Sequence, residues 1–221
     1  FVGNANLKPE YSTQYGAGLA WQSFHQHKMF RRLLVTADGY FIKVKDKILA
    51  LPRNNLFQWS MMNIGKAETK SIDAALEADM RVRENLLIRT NLTYSYQDVR
   101  DVTSPASAVY KNQLAYIPRH SGSARISAEI KNIAVSWNTL FSSHRYRSGE
   151  QVNDNLVEGY VLHDVNLHYA ISSHNRWNYH ISIELNNLFN QQYEVVKYFP
   201  MPGLNWRIAL IVDHKKIKKA K

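Results

Sequence analysis

Trp177-Asn178-Tyr179-His180-Ile181-Ser182-Ile183-Glu184-Leu185-Asn186 and, beyond a loop, Asn205-Trp206-Arg207-Ile208-Ala209-Leu210-Ile211-Val212 decide the fold of this chain. In the first stretch Tyr179, Ile181, Ile183 and Leu185 alternate with His180, Ser182, Glu184 and Asn186, the period of two that gives a strand one dry and one wet face. In the second, Trp206, Ile208, Leu210 and Val212 form the apolar row, opposite Asn205, Arg207, Ala209 and Ile211.

Working outward, the same alternation recurs along the chain and predicts nine strands. The first runs roughly from Ser12 to Phe24, with Tyr15, Ala17, Leu19 and Trp21 on one face, and the second from about Phe30 to Leu51. A third descends to Met80, placing Ile72, Ala74, Leu76 and Ala78 opposite Asp73, Glu77 and Asp79. Three carboxylates on one strand face require water or basic partners. The fourth sets Leu86, Ile88, Leu92, Tyr94 and Tyr96 against Arg89, Asn91, Thr93 and Gln97, and Asp98 to Tyr110 reads as a long loop. Lys131-Asn132 joins the fifth and sixth strands as a two-residue turn. The seventh alternates Val165, Leu167, Tyr169 and Ile171 with polar residues. Short turns (around His25–Lys28, Arg83–Asn85, Lys131–Asn132 and Ser172–Arg176) fall at one end and long loops at the other, as in a bacterial transmembrane barrel.

Composition is compatible with that reading and excludes others. Of 221 residues, 45% are hydrophobic and 12% aromatic, too much apolar content for a disordered chain. Mean hydropathy is −0.40, and no apolar run is long enough for a helical span. A transmembrane barrel hides its lipid face in alternate residues and so scores as polar. Trp21, Tyr94, Tyr96, Trp137, Tyr169 and Trp206 would supply its interfacial girdles. The absence of cysteine removes disulfides, thiolate catalysis and thiolate zinc sites. A formal charge of +10 raises nucleic acid as a partner, but no recognition motif accompanies it. The densest basic run, His214 to Lys221, reads as a solvated tail or one lying near anionic headgroups. The chain is thus divided into residues 1–213 of barrel and a basic tail, 214–221.

Several segments carry a family resemblance. Asn4-Ala5-Asn6-Leu7-Lys8-Pro9-Glu10, Asn63-Ile64-Gly65-Lys66-Ala67 with Ser71-Ile72-Asp73, Tyr116-Ile117-Pro118-Arg119-His120-Ser121-Gly122, Asn186-Asn187-Leu188-Phe189-Asn190 and Tyr198-Phe199-Pro200-Met201-Pro202-Gly203 occur in the order found in TonB-dependent outer-membrane receptors. The Pro118-Arg119-His120-Ser121-Gly122 and Tyr198-Phe199-Pro200-Met201-Pro202-Gly203 forms most resemble cobalamin and siderophore receptors of the Bacteroidetes type. The resemblance implies an all-β, antiparallel transmembrane barrel of about twenty-two strands closed around a plug, of which this chain supplies about nine C-terminal strands. It implies active uptake of a ferric siderophore or cobalamin. The implied partners are the TonB–ExbB–ExbD system, engaged through an N-terminal region not present here, outer-membrane lipid and lipopolysaccharide, and a metal-chelate or cobalamin ligand. It implies no enzymatic activity and no cofactor.

Candidate site residues follow from these assignments. Asp73, Glu77, Asp79, Arg89, Arg125, Glu129, Glu184 and Arg207 are expected to line the lumen and meet plug or water. Ligand contacts are expected from the loops: Trp59, Met61, Tyr110, Tyr146, Arg147, Tyr198 and Phe199. No protease, hydrolase or phosphate-loop motif is present. The enzymatic alternative, an outer-membrane lipid hydrolase, would need His163 beside Ser142 or Ser143. The pair His25-x-His27 is a weak metal candidate, and a soluble β-rich binding protein is the remaining alternative.

Overall fold

A computed structural model describes residues 4–25, 29–52, 59–172 and 177–214, without the side chains at 51, 52, 59 and 172. His27, the segment Arg53 to Asn55, the center of the Ser172–Arg176 turn and the tail from Lys215 onward lie outside the described residues.

Nine long strands form one antiparallel sheet in simple sequence order. They are β1 (Tyr11–Phe24), β2 (Phe30–Lys45), β3 (Ala67–Arg83), β4 (Leu86–Asp101), β5 (His120–Ile130), β6 (Ile133–Ser142), β7 (Tyr160–Ser172), β8 (Trp177–Asn186) and β9 (Asn205–His214). Turns of two residues join β3 to β4 and β5 to β6, the latter with Lys131 at φ 51°. Longer segments carry two-stranded ribbons: Ile48–Pro52 with Trp59–Asn63, Arg145–Tyr146 with Leu156–Val157, and Glu194–Val196 with Phe199–Pro200. A 3-10 turn at Asn153–Asn155 is the sole helical element among the described residues.

Register keeps every apolar row on one side. Trp21 pairs with Val35, Val35 with Leu76, and Leu76 with Leu92. Farther along, Ile126 pairs with Trp137, Trp137 with Val165, Val165 with Leu185 and Leu185 with Trp206. No second layer covers this face among the described residues. Leu19 is 80% exposed, Leu210 64% and Ile208 60%. A soluble protein does not leave so wide an apolar face in water, which tells against the soluble alternative for the chain in this form. On β3 the apolar row reaches from Ile72 to Val82, about 33 Å of strand at ~3.3 Å per residue, or about 25 Å of height at a tilt of ~40°, the height of a barrel's apolar band.

Ladder partners also climb relative to that band. The loop-end aromatic of β9, Trp206, stands level through the ladder with Thr90 of β4, yet the loop-end aromatic of β4 is Tyr96. Six residues of offset over five strand spacings, about 20 Å against about 24 Å, correspond to a tilt of roughly 40°.

Two boundaries differ from the sequence expectation. The second strand stops at Lys45, because Asp46 takes φ 53° and the chain turns into a ribbon. The residues to Leu51 belong to that ribbon. Asp98 to Asp101 are strand and not loop: Asp98 pairs with Lys70 and Arg100 with Glu68. Beyond the apolar band Val99 is the one apolar residue among Asp98, Arg100 and Asp101, buried on the inward face, so alternation is too short to read while hydrogen bonding continues.

Candidate functional site

The face opposite the apolar row collects the charges. Asp73, Glu77 and Asp79 of β3, Arg89 of β4, Arg125 and Glu129 of β5, Glu184 of β8 and Arg207 of β9 all occupy its alternate positions. Most are paired across strands. Arg32 meets Glu77 at 2.7 Å, Arg89 meets Glu129 and, at 3.9 Å, Asp79, and Arg207 grips both oxygens of Glu184 at 3.0 and 2.8 Å. Asp73 accepts from Ser95 and Ser71. Arg125 has no charged or hydrogen-bonding partner among the described residues and stands between Asn91 and Asn138 in the ladder. A shallow trough of about 550 Å³ lies between Arg89, Arg125, Glu129, His168 and Glu184. His168 of β7 and His180 of β8 extend this face toward the turn end: their rings stack at 5.5 Å, and His180 approaches Asp213 at 3.5 Å.

At the loop end, connecting segments fold over this polar side. Leu114 packs on Val44, Ala67 and Val99, the inward residues of β2, β3 and β4, with Ile42, Ile64 and Ile117 around them. Leu114 N–H donates to the Val99 carbonyl at 2.8 Å, extending the ladder past β5. The loop core of the molecule therefore lies on the polar face and leaves the apolar face bare.

A buried cation ties the loops together. Arg145 is 4% exposed and donates from one guanidinium nitrogen to the carbonyls of Glu194 and Val195 at 3.0 and 2.9 Å, with the Tyr160 ring 5.5 Å away. Burial pulls its pKa below the usual guanidinium value. Lys197 Nζ donates in return to the Leu156 carbonyl at 2.7 Å, Tyr116 N–H to the Tyr146 carbonyl at 2.7 Å, and Asn112 to the Gly149 carbonyl at 3.0 Å. Loops 102–119, 143–159 and 187–204 thus form one cap.

The sequence Asn186-Asn187-Leu188-Phe189-Asn190 acquires a physical reason. Asn187 and Asn190 take φ 51° and 52°, the left-handed region that asparagine tolerates better than other side chains with a Cβ. Buried Asn187 donates to the carbonyls of Gln191 and Pro202 and accepts from Gln191 N–H, while its own N–H donates to Asp164 at 2.7 Å. Asn190 accepts from Leu204 N–H, and a Cβ at Gly203 would come within 2.3 Å of its side-chain oxygen.

Of the loop candidates, the fold brings Tyr146, Arg147, Tyr198 and Phe199 into this cap. Arg147 donates to Asn155 at 2.7 Å and lies over the Tyr198 ring at 5.6 Å, with Lys197 on the same ring at 5.5 Å. Tyr110 is half-buried beside Lys111. Met61 stands on the separate ribbon after β2, exposed, and the side chain of Trp59 on that ribbon lies outside the described residues. Arg145, Asn187 and Lys197 were not singled out by sequence; only the asparagine repeat gave a local signal.

The hydrolase alternative loses its constellation. His163 is on the apolar face, bonded to Thr139 and packed among Trp137 and Phe189, whereas Ser142 is on the opposite face. Ser143 accepts from His120 N–H. No group of three or more metal-ligating side chains occurs among the described residues, and His25 contacts Ser23 at 3.1 Å.

Comparison with known proteins matches this geometry. The family model for the TonB dependent receptor-like β-barrel covers residues 1–188. The chain belongs to that family. It is 28% identical over 190 residues to the ferrioxamine B receptor of Salmonella typhimurium, an alignment spanning 85% of this chain and 25% of that protein. Among solved structures, the siderophore receptor PiuA of Acinetobacter baumannii superposes with a TM-score of 0.66 at 16% identity, over 95% of this chain and 30% of that one. The ferric preacinetobactin receptor BauA of the same organism gives 0.65 at 16%, over 91% and 29%. The chain therefore spans about a quarter of the curated relative's length, and the all-β antiparallel wall is that of the TonB-dependent receptor barrels.

Proposed function

We propose that this chain is the C-terminal wall of an outer-membrane TonB-dependent transporter that takes up a ferric siderophore. The observation that carries the reading is the division of the nine-stranded sheet into a bare apolar face and a charge-laddered face over which the loops fold. In an outer membrane the first face meets lipid and the second lines the lumen. The eight charged residues of that second face then meet water and a plug supplied by the rest of the protein. Energy would arrive from TonB, ExbB and ExbD through that same part.

Substrate would be captured at the outer rim. Tyr146, Arg147, Lys197 and Tyr198 present flat rings and fixed cations there, chemistry suited to a metal chelate with planar or anionic donor groups. The matched relative's name, ferrioxamine B receptor, supports a siderophore over cobalamin. Cobalamin remains the second substrate class, and radiolabel uptake separates the two. Cells carrying the full-length gene as their only receptor of this kind should accumulate iron-55 from ferric siderophore under iron limitation, and lose that uptake when TonB is deleted. Accumulation of labelled cobalamin alone would reassign the substrate. Uptake of both compounds unaffected by TonB deletion would end the transporter reading.

A further inference from the structure

We propose that His168 and His180, on the charged face near the turn end of the wall, hold a divalent transition-metal ion of the kind imidazole binds, zinc(II) or copper(II), with water completing its shell. The site goes beyond the transporter reading. It rests on the fold and on the charged face being wet, not on the cargo that passes.

Register brings the two rings together. His168 of β7 pairs with Ala134 on one side and Ser182 on the other, and His180 of β8 pairs with Ala170. The two histidines are thus diagonal neighbours on one face. Asp213 of β9 stands in the same diagonal relation to His180, whose direct partner is Ile211. Because the strands lean by roughly 40°, that diagonal runs nearly level around the wall. His168, His180 and Asp213 therefore form a belt at one height and not a column along one strand.

The ring geometry suits a bridging ion. The centroids are 5.5 Å apart and the planes differ by 29°. Two imidazoles on one zinc, with Zn–N of ~2.0–2.1 Å, put their centroids about 5 Å apart. Rotation about the side-chain bonds then brings one nitrogen of each ring to the ion without a shift of the backbone. Asp213 Oδ2 lies 3.5 Å from His180 Nε2. A carboxylate there favours the proton on Nε2 and leaves the Nδ1 lone pair for the metal, so Asp213 orients a ligand and is not itself one.

No other group occupies these side chains. Asp213 has no lysine or arginine partner among the described residues, and Glu129 and Glu184 are taken by Arg89 and Arg207. His214 faces the other way, against the Trp177 ring at 4.6 Å. Around the two imidazoles stand Ala134, Ala170, Ser182 and Ala209, too small to cover them. The trough of about 550 Å³ opens beside His168 and leaves room for the ion and its waters. Imidazole selects zinc and copper over magnesium and calcium, which take oxygen ligands.

The test uses the full-length receptor purified in detergent without a polyhistidine tag and stripped of metal by a chelator. Copper(II) is the spectroscopic probe, read by electron spin echo modulation from coupled imidazoles, and zinc(II) affinity is read by competition with a chromophoric chelator. The wild type should show two coupled imidazoles. His168→Gln and His180→Gln should each weaken zinc binding by more than about tenfold, and Asp213→Asn by about tenfold, as for an orienting partner. His144→Gln, at the loop end, should bind as the wild type does. Ser182→His sets a third imidazole directly opposite His168 and should tighten binding by at least about tenfold, which covers the case of loss variants that fail to fold. Equal affinity in the wild type and in the His168→Gln/His180→Gln double variant would overturn the site. So would fewer than two coupled imidazoles, equal binding of magnesium, or a folded Ser182→His variant that binds no more tightly. TonB-dependent uptake by a receptor with no metal at these histidines sinks only this proposal. Metal bound here in a receptor whose uptake ignores TonB sinks only the transporter reading.

Discussion

The guanidinium of Arg145 donates to the main-chain carbonyl of Glu194, 49 residues later, at 3.0 Å. A single buried side chain thereby joins the loop after β6 to the loop before β9. Arg145→Ala would leave two carbonyls without their charged donor, a loss of about 3 kcal/mol at ~1.5–3 kcal/mol per charge-assisted bond. Arg145→Lys should not restore it, since an ammonium cannot reproduce the planar fork. Limited proteolysis of the 187–204 loop, with the thermal midpoint of the receptor, measures both effects.

Asn187→Ala combines a strained φ with the loss of three side-chain hydrogen bonds, and should cost about 2–4 kcal/mol. Asn187→Gly keeps the backbone conformation and should cost less. Denaturant unfolding of the two variants should rank them in that order, and the reverse order would show that the side-chain bonds contribute little.

The assignment of faces can be read by thiol chemistry, because this stretch contains no cysteine. Single cysteines at Asn91, Thr93 or Ser182 should react with a small water-soluble reagent, whereas those at Leu76, Leu92 or Ile183 should react only with a lipid-soluble one. A reversed pattern would place lipid on the charged side.

Charge placed on the apolar row should be costly. Leu76→Arg at mid-height should destabilise the inserted barrel by about 2–4 kcal/mol and Ile72→Arg, nearer the border, by about 0–1 kcal/mol. Resistance of the folded species to heating in dodecyl sulfate reports the difference.

Loop tyrosines set an alkaline limit. Burial pushes Tyr116 above its ordinary value near 10, and Tyr193 likewise, with Tyr160 and Asp164 adding to the latter. When the folded state holds a phenol protonated longer than the unfolded state does, stability is complete below the unfolded pKa and falls as pH rises through the folded one. The cap should loosen above about pH 10, and Tyr116→Phe should flatten part of that fall. Intrinsic fluorescence across pH 9–12 follows it.

The strands were legible in the sequence wherever one face is dry. In β8 and β9 each residue from Tyr179 to Leu185 and from Trp206 to Leu210 lies on the face its alternation assigns. The eight charged candidates were placed on one face by the same logic, since Asp73, Glu77 and Asp79 share parity with each other and oppose Leu76. Legibility ends where the band ends. Asp98 to Asp101 hold a single apolar residue, Val99, whose cover is Leu114 of the following loop, so a strand there looks like a loop. Arg145 was invisible for another reason: its partners are main-chain carbonyls, which every residue possesses, so nothing in the composition near 194 announces them. Asn187 was visible as a repeat of asparagines but not as a left-handed turn holding a loop.

The outer margins of β1 and β9 carry no ladder partner among the described residues. In hydrocarbon an unpaired peptide group costs several kcal/mol, so a margin of even a few residues outweighs the entire stability of an ordinary domain. In the proposed setting this fixes an order of events in time. The wall cannot enter lipid first and find its neighbours afterwards; both margins must already be matched, or temporarily held by another protein's strand, at the moment the apolar face leaves water.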